Sequence, residues 1–119
     1  MYQRTIAKTV KYTGIGLHSG KDVTVVFHPA PAGTGIVFSR VDLPGAPQVE
    51  AVADNVTDTM RATTLEKGQA KVFTVEHLLA AFFALEVDNC RVDIDSVEPP
   101  VADGSALPFV RLIEEAGIV

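Results

Sequence analysis

Cysteine, clustered positive charge and long apolar runs are all scarce in this chain, and each shortage excludes a class of protein. One cysteine, Cys90, in 119 residues leaves no partner for an internal disulfide, which excludes a disulfide-stapled secreted scaffold. Cys90 stands between Asn89 and the strand-like run Arg91-Val92-Asp93-Ile94, so it reads as a buried structural thiol rather than a nucleophile or metal ligand. The net charge is −5 and no Lys/Arg cluster occurs. A nucleic-acid or anionic-membrane surface needs concentrated positive charge, so neither partner is expected. The longest apolar run is the eight residues 78–85, too short to span a bilayer. The opening MYQRTIAKTV has neither the apolar core segment nor the small-residue cleavage site of a secretory signal. Together with the lone thiol, this points to a reducing cytoplasm.

What is present describes a folded domain. Hydrophobic residues make up 47% of the chain and charged residues 21%, the balance of a globular protein. At this length one domain, 1–119, buries roughly 65% of its unfolded surface. No linker, repeat or low-complexity segment divides it.

The first half reads as strands. Residues 5–11 alternate loosely, and Gly14, Gly16 and Gly20 mark an irregular loop around His18. In 22–28, Val23, Val25 and Phe27 share one face, with Thr24, Val26 and His28 on the other. Pro29-Ala30-Pro31 breaks that strand, and 35–40 resumes as its antiparallel partner. Further strands are expected at 48–53, 61–65 and 70–73, the last two joined by a tight turn at Lys67-Gly68, and at 90–95. Thr74 is placed to cap a helix running to about Leu85, and Asp88-Asn89 closes that unit. Ser105 is placed to cap a second helix, with Pro108 in its first turn and Gly117 near its end. The expected fold is α+β: a two-layer domain with a mostly antiparallel sheet of five or six strands packed against two helices.

Glu76 and His77 stand side by side where the strand-like run gives way to the apolar helix. A carboxylate beside an imidazole at a helix start can supply a general base and a metal ligand to one small site. The simpler reading is a polar first turn, with Glu76 favoured there by the helix dipole. His18, His28 and His77 show no His-x-x-x-His spacing, so a self-contained metal site is not expected. His28, before Pro29 at a strand end, reads as structural or exposed.

Four motifs occur in order: GIGLHSG at 14–20, DTMRATTLEKG at 58–68, TVEHLLAA at 74–81 and DGSALPF at 103–109. With them the chain resembles the N-terminal half of the bacterial UDP-3-O-acyl-N-acetylglucosamine deacetylases, zinc amidases of lipid A biosynthesis. That resemblance runs from Gln3 to the end. It implies one of two related domains with the active site between them. His77 then supplies one zinc ligand, the others being a histidine and an aspartate of the second domain, and Glu76 acts as general base. His18 lies near the rim, and 60–64 borders substrate and metal, making Met60 and Thr63 substrate contacts. Arg61 and Ala62 depart from the family pattern, and Val101-Ala102 replaces bulkier residues. Asp103-Gly104-Ser105 is implied to be structural.

The chain by itself is therefore expected to be inactive, as half of a two-domain hydrolase. The alternative is a truncated relative or isolated fragment acting as a non-catalytic binding module. The helix at 78–85 is apolar all the way round, which one sheet cannot satisfy. It implies a covering layer from elsewhere: the second domain, or a second copy in a homodimer through the helical layer.

Overall fold

The computed structural model describes residues 3–16, 20–58, 63–101 and 105–119. Its elements run β1 (Val10–Ile15), β2 (Asp22–Pro29), β3 (Ile36–Arg40), β4 (Gln48–Glu50), a 3-10 turn (Ala53–Asn55), β5 (Val56–Asp58), β6 (Thr64–Lys67), β7 (Ala70–Phe73), α1 (Glu76–Ala84), β8 (Cys90–Ile94) and α2 (Leu107–Ala116). The fold is α+β. Among the described residues the strands form a five-stranded sheet in the order β1-β2-β8-β3-β4, the size expected, and a separate three-stranded sheet β5-β6-β7. The strand that the sequence did not suggest is β5, whose three residues are too few for alternation to show.

The alternation in β2 holds: Val23, Val25 and Phe27 are buried and face the helices. They are joined by Cys90, Val92 and Ile94 of β8 and by Phe38 and Val49. Phe82 of α1 packs against Phe27, ring centroids 5.0 Å apart, and Phe109 of α2 meets Tyr12 of β1 edge-on at 5.8 Å. These aromatic contacts fasten the helical layer to the sheet. The opposite face is polar. Thr13 and Thr24 hydroxyls are 2.9 Å apart, and His28 Nε2 lies 2.7 Å from Asp93 Oδ2. His28 is thus structural, away from the helices.

Two sequence expectations about this sheet are corrected. The segment 35–40 does not pair with β2. β8 lies between them, antiparallel to β2 and parallel to β3, while β3 pairs with β4. The 30–35 connection spans the width of β8, with Cys90 N–H donating to Gly35 C=O. The first strand is also shifted, to Val10–Ile15, and runs through Gly14. A Cβ on Gly14 would lie 2.9 Å from Cβ of Pro100, so this glycine permits close packing within a strand rather than marking a loop.

The small sheet is tied to the large one by Arg40. Its Nε and Nη2 bond both carboxylate oxygens of Asp42 at 2.8 and 2.7 Å, while Nη1 donates to the Lys71 carbonyl. The adjacent guanidinium holds the Asp42 carboxyl below the usual carboxylate range. The β6–β7 hairpin turns at Gly68, φ 59°, as its tight-turn signal predicts. Among the described residues no helix is long and apolar enough to cross a membrane.

Candidate active site

The start of α1 is built by converging hydrogen bonds. Phe73 N–H donates to Val97 C=O at 2.9 Å and Val75 N–H to Thr63 C=O at 3.2 Å. With both neighbours committed, Thr74 between them takes φ 61°, a left-handed conformation that is an outlier for a β-branched residue. Thr74 therefore does not cap the helix. The N-cap position is Val75, with no side-chain cap. The Thr74 hydroxyl is buried and has no hydrogen-bond partner among the described residues.

Glu76 opens α1, where unpaired helix N–H groups favour a carboxylate. Its Oε2 accepts the Thr63 N–H at 3.3 Å. Thr63 is thereby held at both its N–H and its C=O, so the segment entering β6 is stitched to the helix start. His77, half-buried, faces a cavity of about 330 Å³ lined also by Thr74, Leu78, Pro99, Pro100, Val101 and Phe109. The far wall is secured to the end of β1: Val101 N–H donates to Ile15 C=O at 2.8 Å, and Gly16 bridges to Pro100.

Of the sequence-predicted residues, the structure joins Thr63 to Glu76 by a hydrogen bond, while the next residue, His77, faces a cavity whose lining includes neither. His18 and Met60 lie outside the described residues, as do Arg61, Ala62, Asp103 and Gly104. Sequence reasoning missed Thr74 as a cavity residue, along with Pro99, Pro100 and Phe109. Pro99-Pro100 reads as loop punctuation and Phe109 as helix core, so no local signal assigned them here.

Two other reactive side chains stand apart. Cys90 is buried in β8, and burial pushes its thiol up to about 12, so it stays protonated and inert at neutral pH. Ser105 accepts the Leu107 N–H at 3.2 Å and so supports the start of α2, although the N-cap itself is Ala106.

Among the described residues no group of three or more His, Cys, Asp or Glu side chains could hold a metal. The donor set here fits one part of a catalytic metal centre, which takes about three protein ligands. An imidazole lining a cavity with a carboxylate on the adjoining helical residue supplies the residue types that metal-assisted hydrolysis uses.

Fold and site therefore define an α+β domain with a carboxylate and an imidazole on consecutive residues at a helix start. The family model for UDP-3-O-acyl N-acetylglycosamine deacetylase matches residues 3–119, and the chain belongs to that family. It is 50% identical over 118 residues to a UDP-3-O-acyl-N-acetylglucosamine deacetylase of Citrifermentans bemidjiense, covering 99% of this chain and 39% of that protein. It is 55% identical over 115 residues to one of an Anaeromyxobacter species, covering 97% and 37%. A bifunctional enzyme LpxC/FabZ of Chlorobaculum tepidum is 46% identical over 118 residues, covering 99% and 25%. The chain thus spans two-fifths or less of the length of these relatives.

Proposed function

We propose that this chain is the N-terminal domain of a two-domain UDP-3-O-acyl-N-acetylglucosamine deacetylase that acts in the bacterial cytoplasm in lipid A biosynthesis. The observation that carries the reading is the family match across residues 3–119, with Glu76 and His77 together at the start of α1. His77 supplies one ligand to a zinc ion, and the remaining ligands come from a second domain. The bound zinc would lower the pKa of water and polarise the amide carbonyl.

Glu76 takes the proton of the attacking water as its oxygen adds to the N-acetyl carbonyl. The carbon–nitrogen bond then breaks, the amine leaves with that proton, and acetate and the free amino sugar result. The Thr63 N–H holds the Glu76 carboxylate in place. His18, Met60 and Thr63 belong to the surface that receives the substrate.

The same reading gives the apolar face of α1 its purpose. Phe83 is 87% exposed and is covered in the complete enzyme by the second domain. A second copy of the chain covers it when this domain is isolated.

Full-length protein and the 119-residue chain, each with and without added zinc, test the reading on UDP-3-O-acyl-N-acetylglucosamine. Deacetylation is expected from the full-length protein alone, with loss of bound zinc in His77→Ala. Turnover by the 119-residue chain, or a tight one-to-one zinc site within it, would overturn the half-site reading and leave a self-contained enzyme. Full-length protein that binds the substrate without hydrolysing it would instead favour a binding module.

A further inference from the structure

Thr74 breaks two local rules at one residue. A β-branched side chain occupies φ 61°, where glycine or asparagine would sit with less strain. Its hydroxyl is buried without a partner among the described residues, although buried polar groups are nearly always hydrogen-bonded. The flanking hydrogen bonds of Phe73 and Val75 account for the backbone conformation. They do not account for a hydroxyl there.

Thr74 lines the same cavity as His77, three residues before it in the chain, and the rest of that lining is Leu78, Pro99, Pro100, Val101 and Phe109. Because the oxygen itself is buried, other atoms of Thr74 face the cavity. Staggered rotamers of threonine exchange the places of hydroxyl, methyl and hydrogen. A change of rotamer is the motion that would present the hydroxyl to the cavity, where His77 is the other polar side chain of the lining.

We propose that Thr74 is a ligand-binding residue of this site, its hydroxyl turning from its buried place to hydrogen-bond a polar atom of the molecule bound beside His77. The proposal rests on the deacetylase reading for the identity of that molecule. It makes Thr74 a residue kept for binding at the expense of stability. Such conflicts between local preference and fold concentrate at functional sites.

The test uses the full-length protein with Thr74→Val, which keeps the shape and removes the hydroxyl, and Thr74→Ser, which keeps the hydroxyl. Tm without ligand, the Tm rise on adding UDP-3-O-acyl-N-acetylglucosamine, and kcat and KM are measured for each. Thr74→Val is expected to melt higher without ligand by about 2–4 °C. Its kcat/KM should fall about tenfold and its ligand-induced Tm rise should shrink. Thr74→Ser should stay within about threefold of the parent in kcat/KM.

Thr74→Val with unchanged kcat/KM and an unchanged ligand-induced rise overturns the proposal. So does a lower ligand-free Tm in Thr74→Val with Thr74→Ser unaffected, because the hydroxyl then has a structural partner in the free protein. Should Thr74→Val not fold, a Thr74→Ser enzyme with kcat/KM down tenfold would also overturn it. A parent protein that neither hydrolyses nor is stabilised by the substrate removes the deacetylase reading, and the proposal with it. An active parent with an indifferent Thr74→Val removes only the proposal.

Discussion

The two helices lie side by side over one sheet yet differ in how completely this chain satisfies them. α2 buries Phe109, Leu112, Ile113 and Ala116 and turns Arg111, Glu114 and Glu115 to solvent. It has one apolar face and one polar face, as a helix covering a single layer should. α1 buries Leu78, Ala81 and Phe82, but its outward side carries Phe83 at 87% exposure, with Leu79 and Leu85 half-buried. The termini differ as well. α2 ends on Gly117 at φ 81°, whereas α1 ends on Glu86 at φ 56°, with Val87 N–H bonded to Phe82 C=O and Glu86 N–H to Phe83 C=O. That pair of bonds closes a helix in the left-handed manner that glycine favours. α2 is shaped for this domain. α1 carries the candidate chemistry at one end and an uncovered flank along its length.

The sharpest way to break this contrast is to compare carboxylates on the two helices. In the full-length enzyme Glu76→Gln is expected to lower kcat by about 10²–10⁴-fold with substrate binding retained. Glu114→Gln, on the exposed face of α2, should leave kcat within about twofold. Equal effects, or an active Glu76→Gln enzyme, would remove the start of α1 from the mechanism.

A second comparison lies within α1. Phe82→Ala in the 119-residue chain should cost about 3–5 kcal/mol of unfolding free energy, close to what Phe109→Ala costs on α2. Phe83→Ala should stay within about 0.5 kcal/mol. Denaturant titration reads both values. Sedimentation across a concentration range adds the association state: the parent chain should self-associate, and Phe83→Lys should shift it toward monomer. A parent that stays monomeric at high concentration would show that the flank of α1 needs no cover.

The smallest expected effects are at the helix ends. Gly117→Ala should destabilise by about 1 kcal/mol, because alanine disfavours the positive φ. Glu86→Gly should be neutral or stabilising by up to about 1 kcal/mol. Its loss of the exposed Arg4 ion pair at 3.2 Å matters little. Destabilisation by both would show that Glu86 suits its end of α1 as Gly117 suits its end of α2.

Much of this was legible in the residues. The alternation of Val23, Val25 and Phe27, the turn at Lys67-Gly68, both helices and the end of α2 at Gly117 all follow from short-range periodicity and turn chemistry. So did the buried, inert character of Cys90 and the apolar excess of α1. The placement of Thr74 as a cap was wrong because capping rules weigh only the residue and its helix. Hydrogen bonds from Phe73 to Val97 and from Val75 to Thr63 decided its backbone instead. Gly14 misled for a similar reason, since the Pro100 ring it accommodates lies 86 residues away.

By itself the sequence determined that a carboxylate and an imidazole would stand on consecutive residues at the start of an apolar helix, because adjacency in the chain needs no distant contact. Tertiary structure alone decided that β8 would separate β2 from β3, and that Pro99, Pro100 and Phe109 would wall the cavity beside His77. Those neighbours are joined by packing and hydrogen bonds across tens of residues. Such contacts leave no periodic trace in the chain.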